Sequence, residues 1–198
     1  MKLKLYQMGE AVLRQPARAL SVEEIKGDYI QHLIQLMKEA MYEAPGVGVA
    51  APQIGESIQL AVLEDREAYL QNYSEDQLKD RERKIVPFTV IINPKIIVDK
   101  SDKAEPVEFF EGCLSVVGCM GMVPRARKVT VECLNENAEK VTIHATGWHA
   151  RILQHEIDHL FGKLYLDRVY TRTLMTQENY AKYWADKSTK DIKKLLGI

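Results

Sequence analysis

The residues best suited to chemistry lie at positions 155 to 159, which read His-Glu-Ile-Asp-His. On an α-helix each residue turns by about 100°, so His155 and His159 share one face, with their Cβ atoms about 5–6 Å apart. Two imidazoles at this spacing can bind one metal ion, and Glu156 can act as general base on a water beside that ion. The HExxH motif therefore predicts a hydrolytic metal site. The alternative interpretation is a buried histidine pair that bonds to the backbone.

The motif does not by itself identify a third metal ligand. A downstream histidine would extend it to HExxHxxGxxH, but position 165 is Tyr165, although Gly162 is in place. One candidate ligand is a downstream glutamate, Glu178. The other is a cysteine: Cys113 lies beside a flexible glycine in the sequence Glu-Gly-Cys-Leu-Ser, although a lone cysteine is more often a small core residue. Both candidates stay open on the residues alone.

The helix that carries the motif is predicted to be buried. It extends from about residue 147 to 161, and Gly162 ends it. Arg151, Gln154 and Asp158 form one narrow polar stripe, while apolar side chains cover most of the remaining surface. Buried polar groups without partners are costly, so the polar residues of this helix need partners elsewhere in the chain.

The rest of the chain predicts the elements that position this helix. Strands followed by one late buried helix favour an α+β fold, with antiparallel strands around a central buried helix that carries HExxH, in a single domain. The expected elements are a capping box at Ser21 and Glu24, a helix over 28–43, a shaped loop without regular structure over 45–55, strands over 58–63 and 86–98, a hairpin of 129–134 and 140–145, and a final helix over 176–195.

Composition excludes several other classes of protein. The 198 residues carry 27 Lys and Arg against 28 Asp and Glu, a net charge of −1, which argues against dedicated DNA binding. No run approaches the roughly 18 apolar residues that a membrane span requires, so we expect no membrane partner. The N-terminus shows neither the apolar region of a secretory signal nor an Arg-rich transit pattern. Three cysteines, an odd number, favour reduced thiols and a cytoplasmic location.

Three segments together resemble the peptide deformylases. They are GVGVAAPQIG at 46–55, EGCLS at 111–115 and QHEIDHLFG at 154–162, in this order along the chain. Each segment alone is a weak signal, but the three jointly are specific. The resemblance covers roughly residues 5–170.

This resemblance implies a domain organisation. Residues 1–170 are expected to form the catalytic domain, in which the mostly charged and polar residues 64–84 are a surface insertion. Residues 171–198 are expected to form a C-terminal helical extension of the same domain.

The resemblance also implies the metal ligands and the expected reaction. Cys113, His155 and His159 would bind one divalent ion, with water in the fourth position, and Glu156 would be the general acid and base. The reaction would be removal of the N-formyl group from the formyl-methionine of nascent polypeptides. The alternative function is an HExxH metallopeptidase that uses Glu178 as its third ligand.

Further residues are implied around the metal. The Gln53 side chain and the backbone N–H of Leu114 would bind the developing oxyanion. Gly48 would offer backbone hydrogen bonds to an extended peptide. Glu111 and Arg125 match a pair that supports the site in the family.

A second part of the site would recognise the substrate. The flexible thioether of methionine suits an apolar slot, and we expect Val47, Trp148 and Ile152 to build it together with the edge of the His155 ring.

The ligand types, the resemblance and the tail of the chain also predict a cofactor and partners. A Cys-His-His set suits ferrous iron, zinc, nickel or cobalt by ligand softness, and the resemblance points to Fe(II) as the native ion. The expected partner is an N-formylmethionyl nascent peptide. A contact with the ribosome near its exit tunnel is a further expectation, based on four lysines of the tail: Lys187, Lys190, Lys193 and Lys194.

Overall fold

The structure is a computed structural model that describes residues 3–44, 46–98 and 105–197. Its helices are α1 (Val22–Lys26), α2 (Asp28–Glu43), α3 (Glu67–Leu70), α4 (Glu75–Asp80), α5 (Gly147–Leu160), α6 (Gln177–Tyr183) and α7 (Thr189–Leu196). Its strands are β1 (Gly48–Ala50), β2 (Leu60–Asp65), β3 (Val86–Ile97), β4 (Val107–Cys113), β5 (Val116–Arg125), β6 (Lys128–Leu134), β7 (Lys140–Thr146) and β8 (Met175–Thr176).

The strands form two antiparallel sheets. The larger sheet has the order β1-β2-β3-β6-β7, and the smaller one has the order β4-β5-β8. Every neighbouring pair in both sheets is antiparallel. The prediction of a single-domain mixed fold with antiparallel strands is confirmed.

The larger sheet lies between two helices, and the alternation of side chains along β2 shows why. Leu60 and Val62 pack in one cluster with the apolar face of α2. Ala61 and Leu63 point to the opposite face and pack in a second cluster with α5. Successive side chains of a strand point to opposite faces, so a strand that is apolar at every position is buried on both sides.

The N-terminal helices follow the sequence pattern closely. Ser21 Oγ accepts a hydrogen bond from the Glu24 backbone N–H, and the Glu24 carboxylate accepts one from the Ser21 N–H, which is the expected capping box. The predicted helix over 28–43 is confirmed as α2, whose apolar stripe is buried against the sheet.

The prediction of a loop without regular structure over 45–55 is wrong. Residues Gly48–Ala50 form β1, the edge strand of the larger sheet, and Ala51–Ile54 form a 3-10 turn. Pairing with β2 (Gly48 opposite Leu63) stabilises a strand that glycine and proline content alone argued against. Pro45 lies outside the described residues.

The prediction of one final helix over 176–195 is also wrong, because α6 and α7 are separate helices. Trp184 leaves the helical conformation at φ −127°, and Ser188 starts α7 by accepting a hydrogen bond from the Asp191 N–H. Trp184 packs with Phe110 and Ile192, so both helices are held against the smaller sheet. Ile198 lies outside the described residues.

Candidate active site

Three potential metal ligands meet between α5 and the end of β4. His155 and His159 come from α5, and Cys113 is the last residue of β4. One ligand atom of each residue lies within 4.8 Å of the others. Cys113 Sγ is 3.3 Å from His159 Nε2.

Cys113 is held by the turn that connects β4 to β5. The strand register shifts between Glu111 and Cys113, and the turn brings the Ser115 backbone N–H within 3.4 Å of the thiol sulfur. Burial opposes ionisation of this thiol, but the imidazoles of His159 and His155 outweigh it and lower the Cys113 pKa to about 5. The sulfur is therefore poised to bind a cation as a thiolate.

The Glu111 carboxylate fixes the orientation of the His155 ring. Its Nδ1 lies 2.9 Å from Glu111 Oε2, which leaves Nε2 directed to the other ligands. Arg125 donates two hydrogen bonds of 2.9 Å to the Glu111 carboxylate. Burial alone would raise the pKa of Glu111, but Arg125 and His155 hold that pKa well below its usual range. The structure thus brings Glu111 and Arg125 together, as the sequence analysis expected.

A second arginine on the same glutamate was not expected from the sequence. Arg151 Nη1 donates to Glu111 Oε1 at 2.5 Å and to the Val123 carbonyl at 3.0 Å. The side chain is buried, and it belongs to the polar stripe of α5. The polar stripe of α5 predicted that Arg151 needs a partner. That partner, Glu111, lies on the distant strand β4 and could not be identified from the sequence.

Glu156 lies on α5 beside the three ligand residues. It is 3% exposed. Burial raises the pKa of its carboxyl group to about 7, although the charge of His155 acts to lower that pKa. Its Oε2 is buried and has no hydrogen-bond partner within residues 3–44, 46–98 and 105–197. A carboxylate with a pKa near neutrality and a free oxygen is suited to accept and release a proton.

Gln53 reaches the site from the 3-10 turn that follows β1. Its Oε1 accepts a hydrogen bond from the Ala50 N–H, which turns the amide nitrogen toward the ligand residues. That nitrogen lies 3.2 Å from Ser115 Oγ and 3.5 Å from Cys113 Sγ. Gln53 is fully buried, so its amide is fixed before any substrate arrives.

Leu114 lies in the turn between β4 and β5. The side-chain amide of Gln7 donates a hydrogen bond of 2.9 Å to the Leu114 carbonyl and so fixes this turn. Neither Gln7 nor Ser115 was among the residues expected at the site, because their roles depend on contacts far along the chain.

Gln53, Glu111 and Leu114 line one cavity of about 660 Å³. Two of the expected metal ligands, Cys113 and His155, line this cavity together with Glu156. The residues expected to bind substrate line the same cavity: Val47, Gly48, Trp148 and Ile152. The structure therefore brings the expected ligand, acid–base and substrate residues to one place.

The donor set fits a divalent transition metal. One low-pKa thiol and two imidazoles, one of them fixed by a carboxylate, match the ligand types and the supporting contacts of such sites. Glu178 is exposed on α6 and does not belong to the cluster of ligand atoms. No helix in the described part of the chain is long and apolar enough to cross a membrane.

The chain is similar in sequence to known proteins of one family. A family model described as polypeptide deformylase matches residues 2–174. The chain is 43% identical over 175 residues to peptide deformylase 1A, chloroplastic, of Solanum lycopersicum, a match that covers 88% of this chain and 62% of the relative. It is 41% identical over 184 residues to peptide deformylase 1 of Bifidobacterium longum, covering 93% of this chain and 80% of the relative.

A solved structure agrees with the fold as well. The Met-Ala-Ser complex of the class I type b peptide deformylase from Acinetobacter baumannii has a TM-score of 0.74 and 32% identity, covering 85% of this chain and 99% of that one. The chain spans 62% of the length of each of two plant relatives, from Solanum lycopersicum and Arabidopsis thaliana.

Proposed function

Because the chain belongs to the polypeptide deformylase family, we propose that it hydrolyses the N-formyl group of formyl-methionyl peptides. The observation that carries the proposal is the convergence of Cys113, His155 and His159 beside the buried Glu156. In this proposal α5, which contains the HExxH sequence, is the catalytic helix.

The proposed cofactor is one divalent ion held by Cys113, His155 and His159. Such an ion supplies a Lewis acid and lowers the pKa of water from about 15.7 toward about 7. Fe(II) is the proposed native ion, and Zn(II), Ni(II) or Co(II) suit the same ligands. The meeting of one thiol and two imidazoles in this structure supports a metal here without selecting the element.

The proposed role of Glu156 is to move the proton. Its carboxylate takes a proton from the attacking water and delivers it to the amine that leaves. The raised pKa, about 7, suits both steps because a group that titrates near neutrality both accepts and donates readily.

The proposed oxyanion donors are the Gln53 amide and the backbone N–H of Leu114. The buried amide of Gln53 is directed to Cys113 Sγ, beside which the formyl oxygen would lie. Donors fixed in advance cost no reorganisation when charge develops, and one is typically worth about 3–4 kcal/mol.

The substrate proposal has two parts. Val47, Trp148 and Ile152 form the slot for the methionine side chain, and Gly48 hydrogen-bonds the extended peptide backbone, independent of its sequence. The Met-Ala-Ser complex of the Acinetobacter baumannii relative supports a peptide of this kind.

The domain organisation and the cellular location of the protein are further proposals. We retain a catalytic unit over 1–170, with 64–84 as an insertion and 171–198 as an extension of the same domain. Lys193 donates to Glu108 at 2.6 Å, so one of the four tail lysines is already engaged, and the ribosome contact stays a prediction. The cytoplasmic location also stays a prediction, since one relative is named chloroplastic.

Mass spectrometry of formyl-Met-Ala-Ser incubated with metal-loaded protein tests the function. Loss of the formyl group alone is the expected result. Cleavage of an internal peptide bond would instead support the metallopeptidase that uses Glu178. An unchanged peptide would contradict both functions.

A further inference from the structure

Two segments that carry none of the expected metal ligands line part of the cavity. One is the stretch between β2 and β3, which contributes Tyr73 and Arg81. The other is α6, which contributes Gln177 and Tyr180. Both α6 residues lie beyond the residues 2–174 that match the family model.

Arg81 forms no ion pair with a carboxylate within residues 3–44, 46–98 and 105–197, although it also lines a second cavity that contains four acidic residues, Asp76, Asp80, Glu82 and Glu108. Its Nη1 donates to the Gln77 carbonyl at 3.2 Å, and its guanidinium lies 5.2 Å from the centre of the Phe109 ring and 5.5 Å from the centre of the Tyr73 ring. The neighbouring Arg83 is different, because it donates two hydrogen bonds, of 2.7 and 2.8 Å, to the buried Asp65. Arg81 is therefore available to a ligand.

The carboxylates that line the first cavity do not offset the charge of Arg81. Among the described lining residues they are Glu111 and Glu156. Glu111 is already bound by Arg125, Arg151 and His155, and Glu156 lies beside the metal ligands. Arg81 therefore brings to the cavity a positive charge without an ion-pair partner among the described residues, and a charge acts more strongly in a partly enclosed space than in bulk water.

Aromatic hydroxyl groups accompany this charge. Tyr180 lines the cavity together with Arg81. Burial raises the pKa of Tyr180, the charge and the hydrogen bond of Arg81 oppose that shift, and the charge of Asp186 adds to it. The Tyr180 ring packs against Phe110 with 4.8 Å between ring centres. Arg81 and Tyr180 thus offer hydrogen-bond donors to the same cavity, and Phe110 packs against Tyr180.

The position of Arg81 relates it to the peptide. Its backbone carbonyl accepts a hydrogen bond of 2.9 Å from the Trp148 N–H, at the first turn of α5. Trp148 is a residue of the proposed methionine slot, so the Arg81 backbone lies beside that slot.

We propose that Arg81, with Tyr73 and Tyr180, forms a subsite that selects an acidic side chain at the second or third residue of the formyl-methionyl peptide. This inference rests on the proposed deformylase function. A guanidinium flanked by hydroxyl donors recognises a carboxylate by charge-assisted hydrogen bonds and repels a lysine.

The test compares kcat/KM for two peptide series, formyl-Met-X-Ser and formyl-Met-Ala-X, with X as Glu, Gln or Lys. Wild-type protein is expected to favour Glu over Lys by about three- to tenfold at one of the two positions, with Gln between them. The preference is expected to shrink at high salt. Arg81→Gln is expected to reduce the ratio to below twofold.

The matched control is Lys79→Gln, which removes the same charge from an exposed position of α4 that does not line the cavity. The control should keep the full preference. A Glu to Lys ratio below twofold at both positions in wild-type protein, or an undiminished ratio in Arg81→Gln, would overturn the subsite. If formyl-Met-Ala-Ser itself keeps its formyl group, the proposed function fails rather than the subsite alone.

Discussion

Glu156 occupies its position because residue 48 has no side chain. A Cβ built on Gly48 would overlap the Glu156 carboxyl group, at a separation that real Cβ atoms do not show. Gly48 therefore serves two purposes: its backbone forms the edge of the larger sheet, and its missing side chain leaves room for the proposed acid–base group.

Gly48→Ala tests this packing argument. The methyl group is expected to displace the Glu156 carboxylate and lower kcat by about 10²-fold, because a misplacement of about 1 Å can cost that much. Metal content should stay near wild type, since the three ligand residues are unchanged. The control is Gly112→Ala, where an added Cβ meets nothing nearer than 3.7 Å. Equal activity of Gly48→Ala and wild type would contradict the argument.

Glu156→Gln separates proton transfer from metal binding. Glutamine keeps the size of the side chain but cannot accept the proton of water, so kcat is expected to fall by about 10²–10⁴-fold while the metal remains bound. Steady-state kinetics and metal analysis of the same preparation check both halves. A variant that keeps most of its kcat would show that Glu156 is not the general base.

The identity of the third ligand is tested by Cys113→Ser and Glu178→Ala. A serine hydroxyl replaces a thiolate poorly, so Cys113→Ser should lose metal and activity together. Cys133→Ser is the matched control, because Cys133 packs in the core of the larger sheet. Loss of metal from Glu178→Ala with retention in Cys113→Ser would reverse the assignment.

At the scale of elements, the stretch between β2 and β3 is anchored by one buried ion pair. Asp65 ends β2, and Arg83 lies just before β3; their side chains are 0% and 4% exposed. The Arg83 guanidinium also lies 5.1 Å from the centre of the Trp148 ring. The polar composition of 64–84 suggested a surface segment, yet both of its ends connect to the core.

Removing one partner of this pair is expected to be costly. Arg83→Met leaves the Asp65 carboxylate buried and unpaired, which should lower the free energy of unfolding by about 3–5 kcal/mol. The double variant Asp65→Leu with Arg83→Met should recover most of the loss. The control Lys95→Met breaks an exposed pair with Glu132 and should change stability little. Chemical denaturation checks all three, and a single variant as stable as the double one would contradict the account.

Helices and caps that are determined by residues close together in the sequence were predictable. Strands that form only by pairing with distant strands were not. The stripe of α2 and the capping box of α1 repeat within a few residues, so the sequence determined them. The strand β1 contains a glycine and exists because β2 pairs with it. The pair β4 and β5 was missed, because β4 buries Glu111, whose partners lie on β5 and α5.

At the scale of the whole molecule, the site lies where separate parts of the fold meet. The smaller sheet contributes Cys113, α5 contributes the histidines, and the turn after β1 contributes Gln53. The spacing within HExxH predicted its own two ligands because they share one helical face. Their meeting with Cys113 required the resemblance to a family, since no periodicity relates residues so far apart. The contacts of Arg151 with Glu111 and of Ser115 with Gln53 were not predicted, because they join residues far apart in the chain.

We propose that deformylation depends on one metal ion at Cys113, His155 and His159. The most direct test of this proposal is a titration of chelator-treated, metal-free protein with Ni(II), followed by formate release from formyl-Met-Ala-Ser. We expect no formate release without metal, a linear rise up to one equivalent of Ni(II) per chain and a plateau beyond it, with acetyl-Met-Ala-Ser unchanged. Formate release that persists in the metal-free protein, or that never appears at any metal ratio, would contradict the account.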